Sequence, residues 1–469
     1  MRGTTAAIPK RLMKVWLERA ETLRRRGLND ERVLETLLAS EHGQSEPILL
    51  KAEVFDKMNH TCRRFTDGMT RMRFDYDFVV DIEALRTVML CLLERVPVLH
   101  SSFSANFFNP FWHVRDYRIE DVVTSEHASD LTAADRFMLS SIDHRAPVQI
   151  RCHAVISGGK TAVCFLINHM CADGGDLMRI MRAVCKNYTN YVERSLPPVN
   201  FPTGKRNFSR LYGDFTAADK IRAALLFSNP TSKDKNRLPL TKPCEDDGTE
   251  IIRYKIPGKL FSAAREAGKK YGASANDVAT AACFYARYKT EGIDPNAPLE
   301  ISCAVNLRRH MLSPEETGIT NYTAFMNCSV PRRGDSMEEL LKSVAESNNK
   351  NKDDKFLALH GLSLLAIAYN TMIYTQAEHI IRFLRKDTGF VFSNVGAFKT
   401  EDLAVCGHTP YDSFMCGGAK NKPCIVLVGC TVNGDFYLTT CIRGTQEDRK
   451  IIERLLSEAE KGFELIAEL

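Results

Sequence analysis

No Cys-x-x-Cys occurs anywhere in this 469-residue chain, although it holds fifteen cysteines. They stand singly inside apolar stretches such as Val163-Cys164-Phe165 and Ala282-Cys283-Phe284, where they read as small reduced hydrophobes. That pattern argues against a zinc site and, without a secretory signal, against a disulfide framework. The expectation is a cytoplasmic protein with no metal. Nor does any apolar run reach the roughly 18 residues of a membrane-spanning helix. The longest candidate, Phe356 to Tyr374, is interrupted by His360 and Asn370. No internal repeat is visible. A phosphate loop is missing too: Gly158-Gly159-Lys160-Thr161 invites that reading, but the first glycine it requires falls on Ala154 and no helix follows, so the pair reads as a hairpin turn.

Charge gives a further exclusion. The formal net charge of +5 is concentrated in residues 1–26, where eight Lys and Arg against Glu18 and Glu21 make +6 and leave the rest at −1. The body therefore lacks the footprint of a nucleic-acid binder. Residues 9–26 suit an amphipathic helix, with Leu12, Trp16, Ala20 and Leu23 on one stripe, and a second short helix follows Asn29-Asp30. This basic extension, residues 1–48, suits peripheral membrane contact through residues 9–26, an acidic partner such as a carrier protein, or a helical hairpin packed on the body.

What is present is an α/β pattern organised around Cys164-Phe165-Leu166-Ile167-Asn168-His169-Met170-Cys171-Ala172-Asp173-Gly174-Gly175. Ala162 to Ile167 is continuously apolar, as in a strand covered on both faces. A helix follows, with apolar residues at Leu177, Ile180, Met181, Val184, Tyr188 and Tyr191, and Asp173 is placed to cap it. A histidine held between a rigid strand and a helix start is well placed to take a proton from a substrate, which makes His169 a candidate general base. The competing reading is a satisfied core histidine beside a capping aspartate.

Around this stretch, Phe74, Tyr76, Phe78 and Val80 alternate with Arg73, Asp75 and Asp77, predicting a half-buried strand. Asp81 then caps a helix that Pro97 ends, and a second alternating strand covers 148–156. Residues 195–248 are rich in Pro, Lys, Asp and Asn, and 228–248 reads as a linker or crossover. Beyond it come a strand at 252–256, helices near 258–271 and 274–290, strands at 299–306 and 324–330, and a helix at 336–350. Residues 356–385 read as helical and apolar. A strand at 390–393 and a hairpin about Asn433-Gly434 lead to a closing helix.

The order of these elements resembles the superfamily of CoA-dependent acyltransferases, which includes chloramphenicol acetyltransferase, condensation domains of peptide synthetases and alcohol acyltransferases. The resemblance spans about 49–469. It is carried by His169-Met-Cys-Ala-Asp173-Gly174, similar to the His-x-x-x-Asp-Gly signature, and by Val80-Asp81-Ile-Glu-Ala-Leu85, Glu94-Arg95-Val-Pro97-Val-Leu99, Ser274-Ala-Asn276-Asp277-Val278, Val305-Asn306-Leu307-Arg308, Asn321-Tyr322 and Ser393-Asn394-Val395-Gly396. It departs at Asn168, where many members have a second histidine, and at His100, where condensation domains have an arginine.

The resemblance implies an α/β fold of two chloramphenicol-acetyltransferase-like lobes, 49–227 and 249–469, that form a V with an active-site tunnel between them. It implies His169 as base with no acyl-enzyme, Asp173 and Gly174 as shaping residues, and Arg95 or Arg308 as the partner of Asp173. Ser393 or Asn394 would donate to the oxyanion, and Asn168 would be adjacent to substrate with its side chain turned away. Gly174 would supply backbone freedom or clearance. The implied reaction moves an acyl group from acyl-CoA, a co-substrate and not a resident cofactor, to an alcohol or amine. A carrier-protein thioester as donor, or a silent binding protein of the same fold, are the alternatives.

Overall fold

The computed structural model describes residues 48–106, 108–225, 234–384 and 389–469. The basic helices read at 9–26 and after 29–30, and the start of the linker at 228–233, lie outside the described residues. In the first half the elements are β1 (Leu49–Lys51), α1 (Val54–Cys62), β2 (Met69–Tyr76), α2 (Ile82–Arg95), β3 (Ser101–Ser104), β4 (Phe111–Val114), α3 (Ile119–Val122), β5 (Val123–His127), α4 (Ala133–Met138), β6 (Ile150–Ser157), β7 (Lys160–Asn168), α5 (Gly174–Arg194) and α6 (Ala217–Leu225). The second half holds β8 (Gly248–Ile256), α7 (Gly258–Lys269), α8 (Ala275–Tyr288), β9 (Leu299–Asn306), β10 (Thr323–Val330), α9 (Met337–Lys352), α10 (Leu362–Thr371), α11 (Tyr374–Leu384), β11 (Phe390–Phe398), β12 (Asp412–Cys416), β13 (Ile425–Val432), β14 (Asp435–Gly444) and α12 (Gln446–Ala467).

Two mixed sheets make two lobes. The first has the order β12-β2-β7-β6-β5, and the second β10-β9-β11-β13-β14-β8. A small third sheet, β1-β4-β3, flanks the first. β7 is central because its side chains are apolar on both faces: every residue from Thr161 to Asn168 is buried between antiparallel neighbours β2 and β6. Its end delivers His169, and α5 begins five residues later on the cap that Asp173 provides by accepting the Asp176 N–H at 2.8 Å.

Two features differ from the sequence reading. β2 is not half-buried: its charged face carries Arg71 at 0% exposure, paired with Asp67 at 2.6 Å, and Arg73, paired with Asp75 at 2.7 Å. Strand β12 covers the outer edge of β2, although it comes from the second half of the chain, with Ser413 opposite Phe74 and Met415 opposite Met72. Second, the apolar stretch from 356 is two helices, α10 and α11. Gly361 sits at φ +74° before α10, and extended Met372 separates the pair. Residues 234–247, the described part of the segment read as a linker or crossover, form no regular element and run along the second lobe. Asp234 meets Arg287 there at 2.9 Å, and the Thr241 N–H donates to Asp448.

The lobes share a core. Val54, Phe55 and Met58 of α1 pack in one apolar cluster with Tyr322, Leu362, Tyr369 and Tyr374 of the second half. Polar groups inside this contact are paired, as burial demands. Asp56 accepts from Trp112 Nε1 at 2.8 Å and from Arg206 at 2.7 Å, and His60 Nδ1 lies 2.6 Å from Tyr374 Oη. Burial, reinforced by the Arg63 charge, pushes the His60 pKa down to about 3, so it stays neutral. No helix among the described residues is long and apolar enough to cross a membrane.

Candidate active site

The turn after β7 is built tightly. The His169 N–H donates to the Gly68 carbonyl at 2.7 Å, and the Cys171 N–H to the Asn168 carbonyl at 3.1 Å. Met170, Cys171 and Ala172 are buried, whereas the His169 side chain is half-buried. His169 Nδ1 lies 2.9 Å from the Ala172 carbonyl and 2.9 Å from Asn321 Nδ2, and Asn321 Nδ2 also donates to the His169 carbonyl at 3.0 Å. Asn321 belongs to the second lobe, so the histidine of one lobe is held by an amide of the other.

Asp173 is tied to the second lobe as well. Its Oδ1 caps α5, while its Oδ2 accepts from Arg308 Nη1 at 2.7 Å and from the Tyr322 N–H at 2.8 Å. The choice between Arg95 and Arg308 therefore falls to Arg308, which is 7% exposed; Arg95 is exposed at the end of α2. Sequence reading missed a second carboxylate, Asp176. Fully buried, it accepts from Arg308 Nη2 at 2.8 Å, Arg179 Nη1 at 2.9 Å and the Thr320 N–H at 2.8 Å. Its only sequence signal is that it falls three residues after the cap, on the first turn of the helix.

Asp176 carries a pH signature. Burial first, and the neighbouring Asp173 second, push its pKa up to about 7, against the pull of Arg308 and Arg179. A carboxyl whose folded pKa is raised holds a proton that the unfolded chain, with an ordinary value near ~3.9, has released. Unfolding then sheds a proton between about pH 4 and 7, and stability falls as pH rises through that window. The expected result is a melting temperature that climbs as pH is lowered from 7 towards 5, and a shallower climb in Asp176→Asn. Thermal denaturation across that range measures it, and identical slopes in the two proteins would refute it.

The remaining predicted residues lie as follows. Asn168 is 3% exposed and faces away from the turn's open side, donating to Gln149 Oε1 at 2.9 Å and accepting the Met170 N–H at 3.1 Å. Its side chain belongs to the packing behind the turn. Asn168→Ala should therefore cost stability, about 1–3 kcal/mol for the unpaired groups left behind, with little change in KM. A chemical-denaturation curve beside a substrate titration separates the two. His100 Nδ1 donates to the Arg115 carbonyl, 3.0 Å away. Gly174 has no positive φ, so backbone freedom is not what the position needs. A Cβ there would make ordinary contact with Met415 Sδ of β12 at 3.4 Å and Val395 Cγ1 at 3.9 Å, so clearance for a Cβ does not demand glycine either.

Ser393 and Asn394 lie on β11, the central strand of the second sheet, and are half-buried. A bulge falls between Asn394 and Gly396, with Asn394 Oδ1 accepting the Gly396 N–H at 3.0 Å. Among the described residues neither hydrogen-bonds to His169. The bulge carries Val395 towards the start of α5, where it borders a crevice of about 270 Å³ between the lobes, together with Gly175, Arg179, Arg182, Asn306 and Arg308. A larger crevice of about 380 Å³, walled by Arg253, Tyr411 and Tyr437, contains none of the motif residues. Its charges are paired, Arg253 with Asp412 and Lys255 with Asp435.

No family model matches the chain, and no curated protein matches it in sequence. Solved structures do match it. The trichothecene 15-O-acetyltransferase from Fusarium sporotrichioides superposes with a TM-score of 0.67 at 10% identity, covering 90% of this chain and 96% of that one. The first condensation domain of the CDA synthetase gives 0.65 at 12% identity over 89% and 96% of the two chains. Polyketide synthase associated protein 5 from Mycobacterium tuberculosis gives 0.61 at 16% identity over 87% and 98%. The chain has the two-lobed chloramphenicol-acetyltransferase-like fold, which acyltransferases and condensation and epimerization domains share. At these identities the likeness is one of fold, and a fold hosts more than one chemistry.

Proposed function

We propose that the protein is an acyltransferase that moves an acyl group from acyl-CoA to a hydroxyl acceptor, with His169 as general base and no acyl-enzyme. The observation that carries this reading is the half-buried His169 at the junction of the lobes, its Nδ1 within 2.9 Å of the Ala172 carbonyl. A ring that donates from Nδ1 to that carbonyl presents an unprotonated Nε2. Nε2 takes the proton of the acceptor hydroxyl as its oxygen attacks the thioester carbonyl. The tetrahedral intermediate then collapses, the C–S bond breaks, and the proton passes to the leaving thiolate. Positioning both substrates between two lobes replaces the need for a covalent intermediate.

Ser393 and Asn394 are the proposed oxyanion donors, since β11 runs from the core of the second lobe towards the start of α5. Arg179 and Arg182 border the crevice, Arg179 paired with the buried Asp176 at 2.9 Å and Arg182 with the half-exposed Asp402 at 3.2 Å, so that Arg182 is the cation of the rim whose partner also faces solvent. A hydroxyl is preferred over an amine because an alcohol needs its proton removed as the bond forms, whereas a free amine at neutral pH is already protonated. The test is release of free thiol from acetyl-CoA and longer acyl-CoAs against matched alcohols and amines. Ester formation supports the proposal. Exclusive amide formation, turnover only with a carrier-bound acyl group, or no turnover with any donor would overturn it.

A further inference from the structure

Asn321 occupies a position that the two carboxylates of the first lobe define. The N–H of Thr320, before it, donates to Asp176, and the N–H of Tyr322, after it, donates to Asp173, each at 2.8 Å. The backbone is thus pinned on both sides of a residue that is 3% exposed. The amide has one orientation that satisfies its surroundings: Oδ1 accepts the Thr323 N–H at 2.9 Å, and Nδ2 donates to the His169 carbonyl at 3.0 Å. Flipping it would set oxygen against carbonyl oxygen and N–H against N–H.

In that orientation a donor, Asn321 Nδ2, and an acceptor, the Ala172 carbonyl, both stand 2.9 Å from His169 Nδ1. A neutral imidazole nitrogen can donate or accept, but not both. With its proton, Nδ1 serves Ala172, and Nε2 carries the lone pair. Without it, Nδ1 accepts from Asn321, and the proton sits on Nε2. We propose that Asn321 is a positioning residue that sets the tautomer of His169 from the opposite lobe, in competition with the carbonyl of the histidine's own loop. The base-competent tautomer is the one Ala172 favours, so withdrawal of the 320–322 segment from Asp173 and Asp176 releases His169 into it. The catalytic consequence rests on His169 acting as base; the tautomer balance does not.

The experiment is nitrogen NMR of the full chain labelled with ¹⁵N-histidine, the His169 ring being assigned by its loss in His169→Gln. Spectra are taken where the ring is neutral. The wild type should show both ring nitrogens at averaged positions, with both tautomers populated. In Asn321→Ala the balance should move towards protonated Nδ1 by about two- to tenfold, the effect of one hydrogen bond of ordinary strength on a two-state ratio. A wild-type ring already wholly protonated at Nδ1, which needs no variant to observe, would overturn the proposal, as would unchanged nitrogen positions in Asn321→Ala. Acyl transfer is followed in parallel with acetyl-CoA. A tautomer shift without turnover in any variant leaves Asn321 in its role and removes the acyltransferase reading; turnover with an unmoved tautomer does the reverse.

Discussion

His169→Ala should lose about 10² to 10⁴ in kcat for acyl transfer while unfolding at nearly the wild-type temperature. Activity should fall because nothing else in the turn can replace the imidazole. Met170, Cys171 and Ala172 are buried, Asp173 is held by Arg308 and the Tyr322 N–H, and burial pushes the Cys171 thiol well up, out of the range where it could act as a base. Folding should be spared because the ring is half-buried and, among the described residues, bonded only through Nδ1, to groups that water can serve once it is removed. The expected cost to folding is then about 1 kcal/mol or less. Thiol release and a melting curve on the same preparation decide the matter. A stability loss as large as the activity loss would favour a histidine that only packs.

Much of this site is legible in the sequence because its signals are local. The apolar run 162–167, the histidine that stops it, the cap at Asp173 and the hairpin at Asn433-Gly434 each need only a few neighbouring residues to read. Strands β7, β9, β13 and β14 follow the same way. What fails to read is what depends on distant chain. β12 is a five-residue strand whose partner lies more than 300 residues upstream, and nothing in Asp412–Cys416 marks it as the edge of the first lobe's sheet. The alternation in β2 predicts a solvated face, and it misleads because α4 lies against that face, where Arg71 donates to the Met138 carbonyl and Arg73 to Asp135, beside the ion pairs of both arginines.

The same distinction runs through the site itself. A capping aspartate is visible from its helix, but which arginine answers it is set by tertiary approach, and Arg95 and Arg308 look alike in sequence. Asp176 reads as an ordinary acidic residue on a helix's first turn, where the macrodipole favours one. Its burial and its hold on Thr320 come only from the docking of the second lobe. Asn321 sits in a segment whose likeness to the superfamily was legible, though its reach to His169 was not.

Arg308→Met should destabilise the protein by about 3–5 kcal/mol and abolish transfer together with it. Arg308 reaches Asp173 with one terminal nitrogen at 2.7 Å and Asp176 with the other at 2.8 Å, and donates also to the Thr320 carbonyl at 3.1 Å. Removing it leaves two buried carboxylates side by side with one charge too many between them, which is why the expected loss exceeds that of a surface pair. Arg308→Lys should fall between, because a single ammonium cannot span both acids as the guanidinium fork does. Asp173→Ala should cost a similar amount from the opposite side, since it removes the cap of α5, the anchor of Tyr322 and one of the partners of Arg308. A double-mutant cycle over Asp173 and Arg308, followed by chemical denaturation, should show strong coupling between them, so that the pair costs clearly less than the sum of its parts. Simple additivity would mean that the contact between the lobes is not what holds the turn in shape, and His169 would then have to be positioned by its own lobe alone.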